Sequence, residues 1–258
     1  MINPVAYQKK LEGKSNSHLI TFNDGKEYVV KFFQLGFEKT LPNEWIGYCF
    51  ARYLGLPVPF GRLVEIPQEF TLQVPELVDV HQTQFQFASM YIPDCLNGHQ
   101  VSNVPNISNR QSLAGIILLD YWLCNRDRTR KNILLYEAES GNYQLWMIDQ
   151  AEIFGRYNWL HSDLENLPVE VLKSATHELM AQFIKNEQNF TEHLEIIQTM
   201  PILLMEEIVS IIPDEWMVSK EEKKAIVSTL VNRRKKILPE LMHKFLKKVY
   251  QPLHSNEE

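Results

Sequence analysis

Asp127 and Asn132 stand five positions apart in "NRDRTRKN", at the end of a hydrophobic run, and Asp149 closes the later run "YQLWMID". A turn needs only Gly or Asn, so so many charged and amide side chains in one short loop call for another use. The segment between Asn132 and Asp149 reads as a hairpin, "ILLY" turning through "ESGN" into "YQLWMID". Antiparallel strands joined by a short turn have neighbouring outer ends. Asn132 and Asp149 are therefore expected side by side, with Asp127 next to them. Two carboxylates and an amide oxygen are hard oxygen ligands of the kind Mg²⁺ takes. Asp and Asn also bond their own backbone in loops. The third residue, placed by the hairpin, favours the metal reading over turn chemistry.

Lys31 is a second candidate. In "EYVVKFF" it shares a face with Val29 and Phe33, while Tyr28, Val30 and Phe32 take the other. A lysine inside a strand that is apolar on both faces either snorkels at a sheet edge or needs an acidic partner. Glu44, at the start of the next helix, is the nearest in sequence. A third candidate is the turn Gly13, Lys14, Ser15, Asn16, Ser17 between two strands, which offers amides and hydroxyls to phosphate. It is not a Walker A loop: Gln8 stands where that motif needs Gly, and a strand follows instead of a helix.

These residues need elements to hold them. "HLITF" and "EYVVKFF" flank "NDGK", a hairpin signal. "PNEWIGYCFARYLGLPVP" reads as a helix capped by Asn43, striped with Trp45, Ile46, Cys49, Phe50, Tyr53 and Leu54, and stopped by Gly55 and Pro57. "GRLVEI" and "QTQFQFASMYI" read as strands, followed by an Asn/Gly/Pro-rich loop to about residue 108. A helix over roughly 109–124, apolar on most sides, delivers the chain to "NRDRTRKN". From about residue 164 the pattern is helical. A capping box from Ser219 to Glu222 starts a long helix that Pro239 is expected to kink or break. The plan is α+β and bilobal, with a small β-rich lobe over 1–92 and a mainly helical lobe over 93–258.

Composition is that of an ordinary globular chain: 258 residues, 45% hydrophobic and 22% charged. No signal-peptide start and no bilayer-length apolar run is present, and Cys49, Cys95 and Cys124 show no CxxC spacing, so a cytoplasmic protein with reduced thiols and no membrane role is expected. Residues 219–250 hold ten Lys and Arg against three Glu, which leaves the rest of the chain about 13 negative. An acidic body does not suggest nucleic acid. The basic stretch reads as the solvated face of an amphipathic helix; the rival is a scaffold that contacts an acidic partner through Arg233 to Lys236. No HExxH or paired-ligand histidine spacing exists, and "ATHELM" reads as ordinary helix surface, so a zinc enzyme is rejected. No GxSxG elbow is present. The five tryptophans read as core or lobe contacts.

A loop between strands, a strand Lys, a helix Glu, Asp-x4-Asn, a hairpin and a final Asp follow the order of parts in the protein-kinase-like fold. His-Arg-Asp and Asp-Phe-Gly are replaced by "NRD" and "DQA". "GKSNSHLI", "DGKEYVVKF", "NEWIGYCFARYLGLPVP", "LDYWLCNRDRTRKNILL" and "WMIDQAEIF" together resemble HipA-type bacterial kinases, in particular the short stand-alone HipA-like domain, over about residues 8–155 with a similar helical tail. The resemblance implies an ATP- and Mg²⁺-dependent kinase, most simply a Ser/Thr protein kinase. It makes Asp127 the catalytic base, Asn132 and Asp149 the metal ligands, and Lys31 and Glu44 the residues that position phosphate. Gly13 and Ser15, Asn16 and Ser17 would cover the phosphates, Lys131 also matches the family, and the backbone around Ser89 to Tyr91 would be the hinge that meets adenine. Thr129 departs from a His common in these kinases. The extra N-terminal subdomain of full-length HipA toxins, which helps bind antitoxin, has no counterpart here, so a HipB-like partner is not expected. The loop is also similar to that of type II phosphatidylinositol kinases, which keeps a lipid or small-molecule acceptor open. AMP transfer and a nucleotide-binding pseudokinase remain the other readings.

Overall fold

The computed structural model describes residues 2–172 and 174–255. The first strands form a five-stranded antiparallel sheet. They are β1 (Pro4–Lys10), β2 (Ser17–Phe22) and β3 (Glu27–Lys31), then, after helix α1 (Thr40–Tyr53), β4 (Gly61–Val64), the short helix α2 (Gln68–Leu72) and β5 (Gln86–Met90). Spatial order is β1-β2-β3-β5-β4. The Asp24–Gly25 turn joins β2 to β3, with Gly25 at φ +76° and the Phe22 amide donating to the Lys26 carbonyl at 2.9 Å. In β3, Tyr28 and Val30 pack with Ile20, Phe22, Phe32 and Val64 into a small core on one face. Lys31 therefore points off the other face, towards α1.

The start of α1 differs from expectation. Asn43 does not cap it; the helix begins at Thr40, with no side-chain cap from Lys39. Asn43 sits in the first turn, fully buried, and its Nδ2 donates to the carbonyls of Ala151 (2.6 Å), Ile153 and Arg156 (3.2 Å each). Its Oδ1 accepts from Trp159 Nε1 at 2.9 Å. A residue typical of caps is used instead to hold the chain that follows Asp149. The other end obeys the sequence: Gly55, at φ +67°, donates to Arg52 O, and Leu56 donates back to Ala51 O, closing a Schellman motif.

Gly47, one turn along, allows close approach. A Cβ built there would lie 2.6 Å from Gln150 Cβ, so α1 and the residue after Asp149 pack backbone to side chain. Gly47→Ala should destabilise by about 1–3 kcal/mol from overpacking, partly offset by the roughly 1 kcal/mol that Ala gains over Gly in a helix. Denaturant midpoints of the two proteins test this; a higher midpoint would contradict the packing.

The second half is mainly helical around the fully buried α3 (Leu113–Leu123). A second sheet, ordered β6-β8-β9-β7, carries the hairpin β8 (Ile133–Glu139) and β9 (Asn142–Met147). Its edges, β6 (Cys95–Asn97) and β7 (Asn106–Ile107), lie in the stretch read as loop. Three and two residues carry no readable period. Side chains fix β7 instead: Asn106 Nδ2 donates to Asn142 Oδ1 at 2.8 Å. Just beyond it, Asn109 bonds both the carbonyl and amide of Leu145, at 2.8 and 3.0 Å.

The remaining helices are α4 (His161–Glu165), α5 (Ala175–Phe183), α6 (Gln188–Thr199), α7 (Ile202–Ser210), α8 (Lys220–Asn232), α9 (Leu238–Phe245) and α10 (Gln251–His254). The capping box of Ser219 and Glu222 starts α8. Pro239 neither breaks nor ends the helix: α8, α9 and α10 are continuous through two π-helical turns, 233–237 and 246–250. Leu238 donates to Arg233 O five residues back, and the Arg234 carbonyl, facing a proline without an N–H, accepts from Gln198 Nε2 at 3.3 Å. No helix among the described residues is long and apolar enough to cross a membrane.

Candidate active site

A cleft of about 700 Å³ between the two sheets is lined by Lys31 and Glu44 on one side and Asp127, Asn132 and Asp149 on the other. Lys31, 7% exposed, donates to Glu44 Oε1 at 2.5 Å and to Asp149 Oδ1 at 3.0 Å. The strand lysine and the two carboxylates thus form one ion cluster, buried at Lys31 and Glu44 and partly open to the cleft at Asp149. Burial opposes the Lys31 charge, but Asp149 and Glu44 more than offset it and raise its pKa. Burial likewise works against ionised Asp149, yet Lys31 and hydrogen bonds hold its carboxyl down at about 2. Glu44 goes the other way, up to about 7, because burial and the Asp149 charge outweigh Lys31. Two carboxylates share one ammonium, and Glu44 is the one pushed towards its protonated form.

Hairpin register brings Asn132 and Asp149 together. Ile133 pairs with Met147, and the Ile148 amide donates to Asn132 O at 3.1 Å. Asn132 Nδ2 donates to the Asp127 carbonyl at 2.6 Å and to Asp127 Oδ2 at 2.9 Å. The amide is thereby oriented, and Asn132 Oδ1 and Asp127 Oδ1 have no hydrogen-bond partner among the described residues. Asp149 itself takes φ +59°, a left-handed conformation that Asp tolerates better than most residues.

Gly13, Ser15 and Ser17 line the same cleft, with Gly13 at φ +140° and the Ser15 and Ser17 hydroxyls 3.0 Å apart. Asn16 does not join them; its Oδ1 meets buried His18 Nε2 at 3.2 Å. Ser89, Tyr91 and Lys131 line the cleft, Lys131 with an exposed side chain. The amides of Met90 and Tyr91 are already committed to Phe60 O (2.7 Å) and Glu27 O (2.9 Å). Val29 and Ile148 are among the apolar residues that line the cleft beside this segment.

Several residues of this site escape a reading of the sequence. Glu152 lies in the cleft, its pKa raised by burial and by the Asp127 and Asp149 charges. Asp120, inside the apolar helix α3, is 1% exposed and accepts from both Nε and Nη2 of Arg128, at 2.9 and 3.1 Å. His177 Nε2 meets the same carboxylate at 2.9 Å. "ATHELM" is thus not ordinary surface: His177 is 1% and Met180 0% exposed. An acid in the middle of "LAGIILLDYWL" is the one signal that could have raised the question, since a buried charge requires a partner.

Among the described residues no three acidic, His or Cys side chains converge as a ready metal cage. The candidate donors are one carboxylate, Asp149, and one amide oxygen, Asn132, both lining the cleft. Such a pair would fit Mg²⁺, which keeps waters and takes one or two protein carboxylates plus substrate phosphates.

The two-sheet architecture and this cleft define a protein-kinase-like fold, a β-rich N-terminal sheet followed by a helical region. The chain belongs to the HipA-like kinase family, whose sequence profile matches residues 5–248. The structure is similar to the Helicobacter pylori proinflammatory kinase CtkA, with a TM-score of 0.60 at 15% identity over 96% of each chain. It is also similar to the Golgi casein kinase with Mn and ADP bound, with a TM-score of 0.51 at 13% identity, covering 96% of this chain and 74% of that one. No curated protein matches the sequence.

Proposed function

We propose that the protein is an ATP- and Mg²⁺-dependent phosphotransferase that phosphorylates Ser or Thr hydroxyls of a protein. One observation carries this reading: Lys31, held between Glu44 and Asp149, shares a cleft with Asp127 and its amide partner Asn132. The Golgi casein kinase, with Mn and ADP bound, supports a nucleotide and a divalent cation here.

Each side chain has a task in transfer of the γ-phosphoryl group. Lys31 donates to phosphate oxygens, and Glu44 keeps its ammonium directed there. Asp127 Oδ1 orients the acceptor hydroxyl and takes its proton as the oxygen attacks in line. Asn132 fixes the Asp127 rotamer through Nδ2 and, with Asp149, would hold the cation. Mg²⁺ bound there would neutralise charge on the phosphates. Little covalent work falls to the protein, so positioning and electrostatics supply most of the rate. Gly13, Ser15 and Ser17 close over the phosphates and exclude water.

The test is incubation of the purified protein with γ-labelled ATP, Mg²⁺ and host lysate, beside an Asp127→Ala control. Label on discrete protein bands, lost in the control, is expected. Label in lipid or small molecules would replace the acceptor, and mass spectrometry would show AMP transfer as a different added mass. Absence of ATP binding would end the reading altogether.

A further inference from the structure

Arg128 follows Asp127 directly, yet it points away from the cleft and is 2% exposed. Its guanidinium uses every edge. Nη1 donates to the carbonyls of Asn132 (3.0 Å) and Ile148 (2.6 Å), and Nη2 donates to Gln150 Oε1 (2.9 Å). These three acceptors belong to one metal-binding candidate and to the residues on either side of the other. On its far side the same guanidinium is held by Asp120, which His177 and Asn125 Nδ2 (3.0 Å) also engage. Ser174, the N-cap of α5, donates to the Arg128 carbonyl at 2.8 Å, so α5 ties down the backbone too.

From this geometry we infer that Arg128, anchored by Asp120, is the positioning residue that sets the separation of Asn132 and Asp149 and so the affinity of the site for a divalent cation. The inference rests on the proposed reading of the cleft. Ladder pairing ends at Ile133 and Met147, and one further backbone bond joins the Ile148 amide to Asn132 O; beyond it, Asp149 turns into a left-handed conformation that no ladder bond supports. A planar fork spanning Asn132 O, Ile148 O and Gln150 Oε1 supplies that constraint, which a single ammonium cannot. Residues that orient metal ligands in this way typically change metal affinity by about 10–100-fold when replaced.

The experiment compares wild type, Arg128→Lys and Gln150→Met. Arg128→Lys keeps a cation against Asp120 but cannot reach all three acceptors. Gln150→Met removes only the Nη2 link at similar volume, and it also removes Nε2 of Gln150, which is buried without a partner, so this variant should fold. Mn²⁺ affinity is measured by electron paramagnetic resonance at saturating ADP, and ADP affinity is measured separately in EDTA by calorimetry. Mn²⁺ binding is expected to weaken by about 10–100-fold in Arg128→Lys and by several-fold in Gln150→Met, with metal-free ADP affinity within twofold of wild type. Unchanged Mn²⁺ affinity in a cooperatively melting variant, or equal losses of ADP and Mn²⁺, would overturn the inference and leave the proposed function standing. If wild type binds no Mn²⁺ with ADP, it is the proposed function that fails.

Discussion

Asp127→Asn should lower kcat by about 10²–10⁴-fold while leaving ATP affinity within about twofold, because the substitution removes a proton acceptor and little else. The side chain is half-buried and keeps its shape as Asn. Its contact with Asn132 Nδ2 survives through the Asn Oδ1, and its backbone bonds to Asn125 Oδ1 and the Thr129 amide are untouched. What disappears is the carboxylate that, on the proposed reading, would take the acceptor's proton. An effect on kcat without one on nucleotide binding marks an interaction made in the transition state. Steady-state kinetics against ATP, with parallel calorimetric ATP titration of the variant, separates the two. Retained kcat would remove Asp127 from the role of base. A large fall in ATP affinity would show that it serves the nucleotide instead.

The parts legible in the sequence are those written in local pattern. The Asp24–Gly25 hairpin, the Gly55 stop of α1, the capping box at Ser219 and the β8–β9 hairpin follow from turn and cap chemistry that acts over a few residues. Hairpin register is what allowed Asn132 and Asp149 to be placed together, because residues beside a short turn meet wherever the rest of the chain goes. Lys31 was legible for a related reason: a charge in an apolar strand demands a partner, and Glu44 and Asp149 both supply one.

The illegible parts depend on partners far away in sequence. Asn43 carries the signature of a cap, but its four polar contacts are 108 to 116 residues on, with the segment after Asp149. No local rule distinguishes that use from capping. Asp120 and His177 are separated by 57 positions, and each alone resembles a common surface residue. Strands β6 and β7 are too short to show alternation, and Pro239 is accommodated by a π-turn that propensities do not foresee. Charge counting fails in the same way for the basic C-terminal stretch. Arg233 and Arg234 are each 4% exposed, while Lys235 and Lys236 are exposed, so the stretch is not one solvated basic face.

Arg233→Ala should destabilise the protein by about 4 kcal/mol, by stranding buried carbonyls and leaving a cavity. Arg233 Nε donates to Trp122 O at 2.9 Å, Nη2 to Tyr121 O at 2.7 Å and Nη1 to Pro168 O at 3.0 Å. Tyr121 and Trp122 lie in the last turn of α3, where the Tyr121 carbonyl has only a long bond of 3.4 Å from the Cys124 amide and the helix dipole favours a cation. No carboxylate among the described residues lies within ion-pair distance of this guanidinium, so burial lowers its pKa, and helix-end carbonyls in place of an acid stabilise the charge. At roughly 2–4 °C per kcal/mol for a chain of this size, the melting temperature should fall by about 8–16 °C. Lys235→Ala with Lys236→Ala, on exposed positions of the same turn, should change stability by no more than about 0.5 kcal/mol each. Thermal melts of both variants decide the matter. A basic face built to contact an acidic partner predicts the reverse order: near-normal melting for Arg233→Ala and loss of binding in both. The double lysine variant melting lower than Arg233→Ala would refute the view that this arginine is a structural cap on the helix leading into the Asp127 loop.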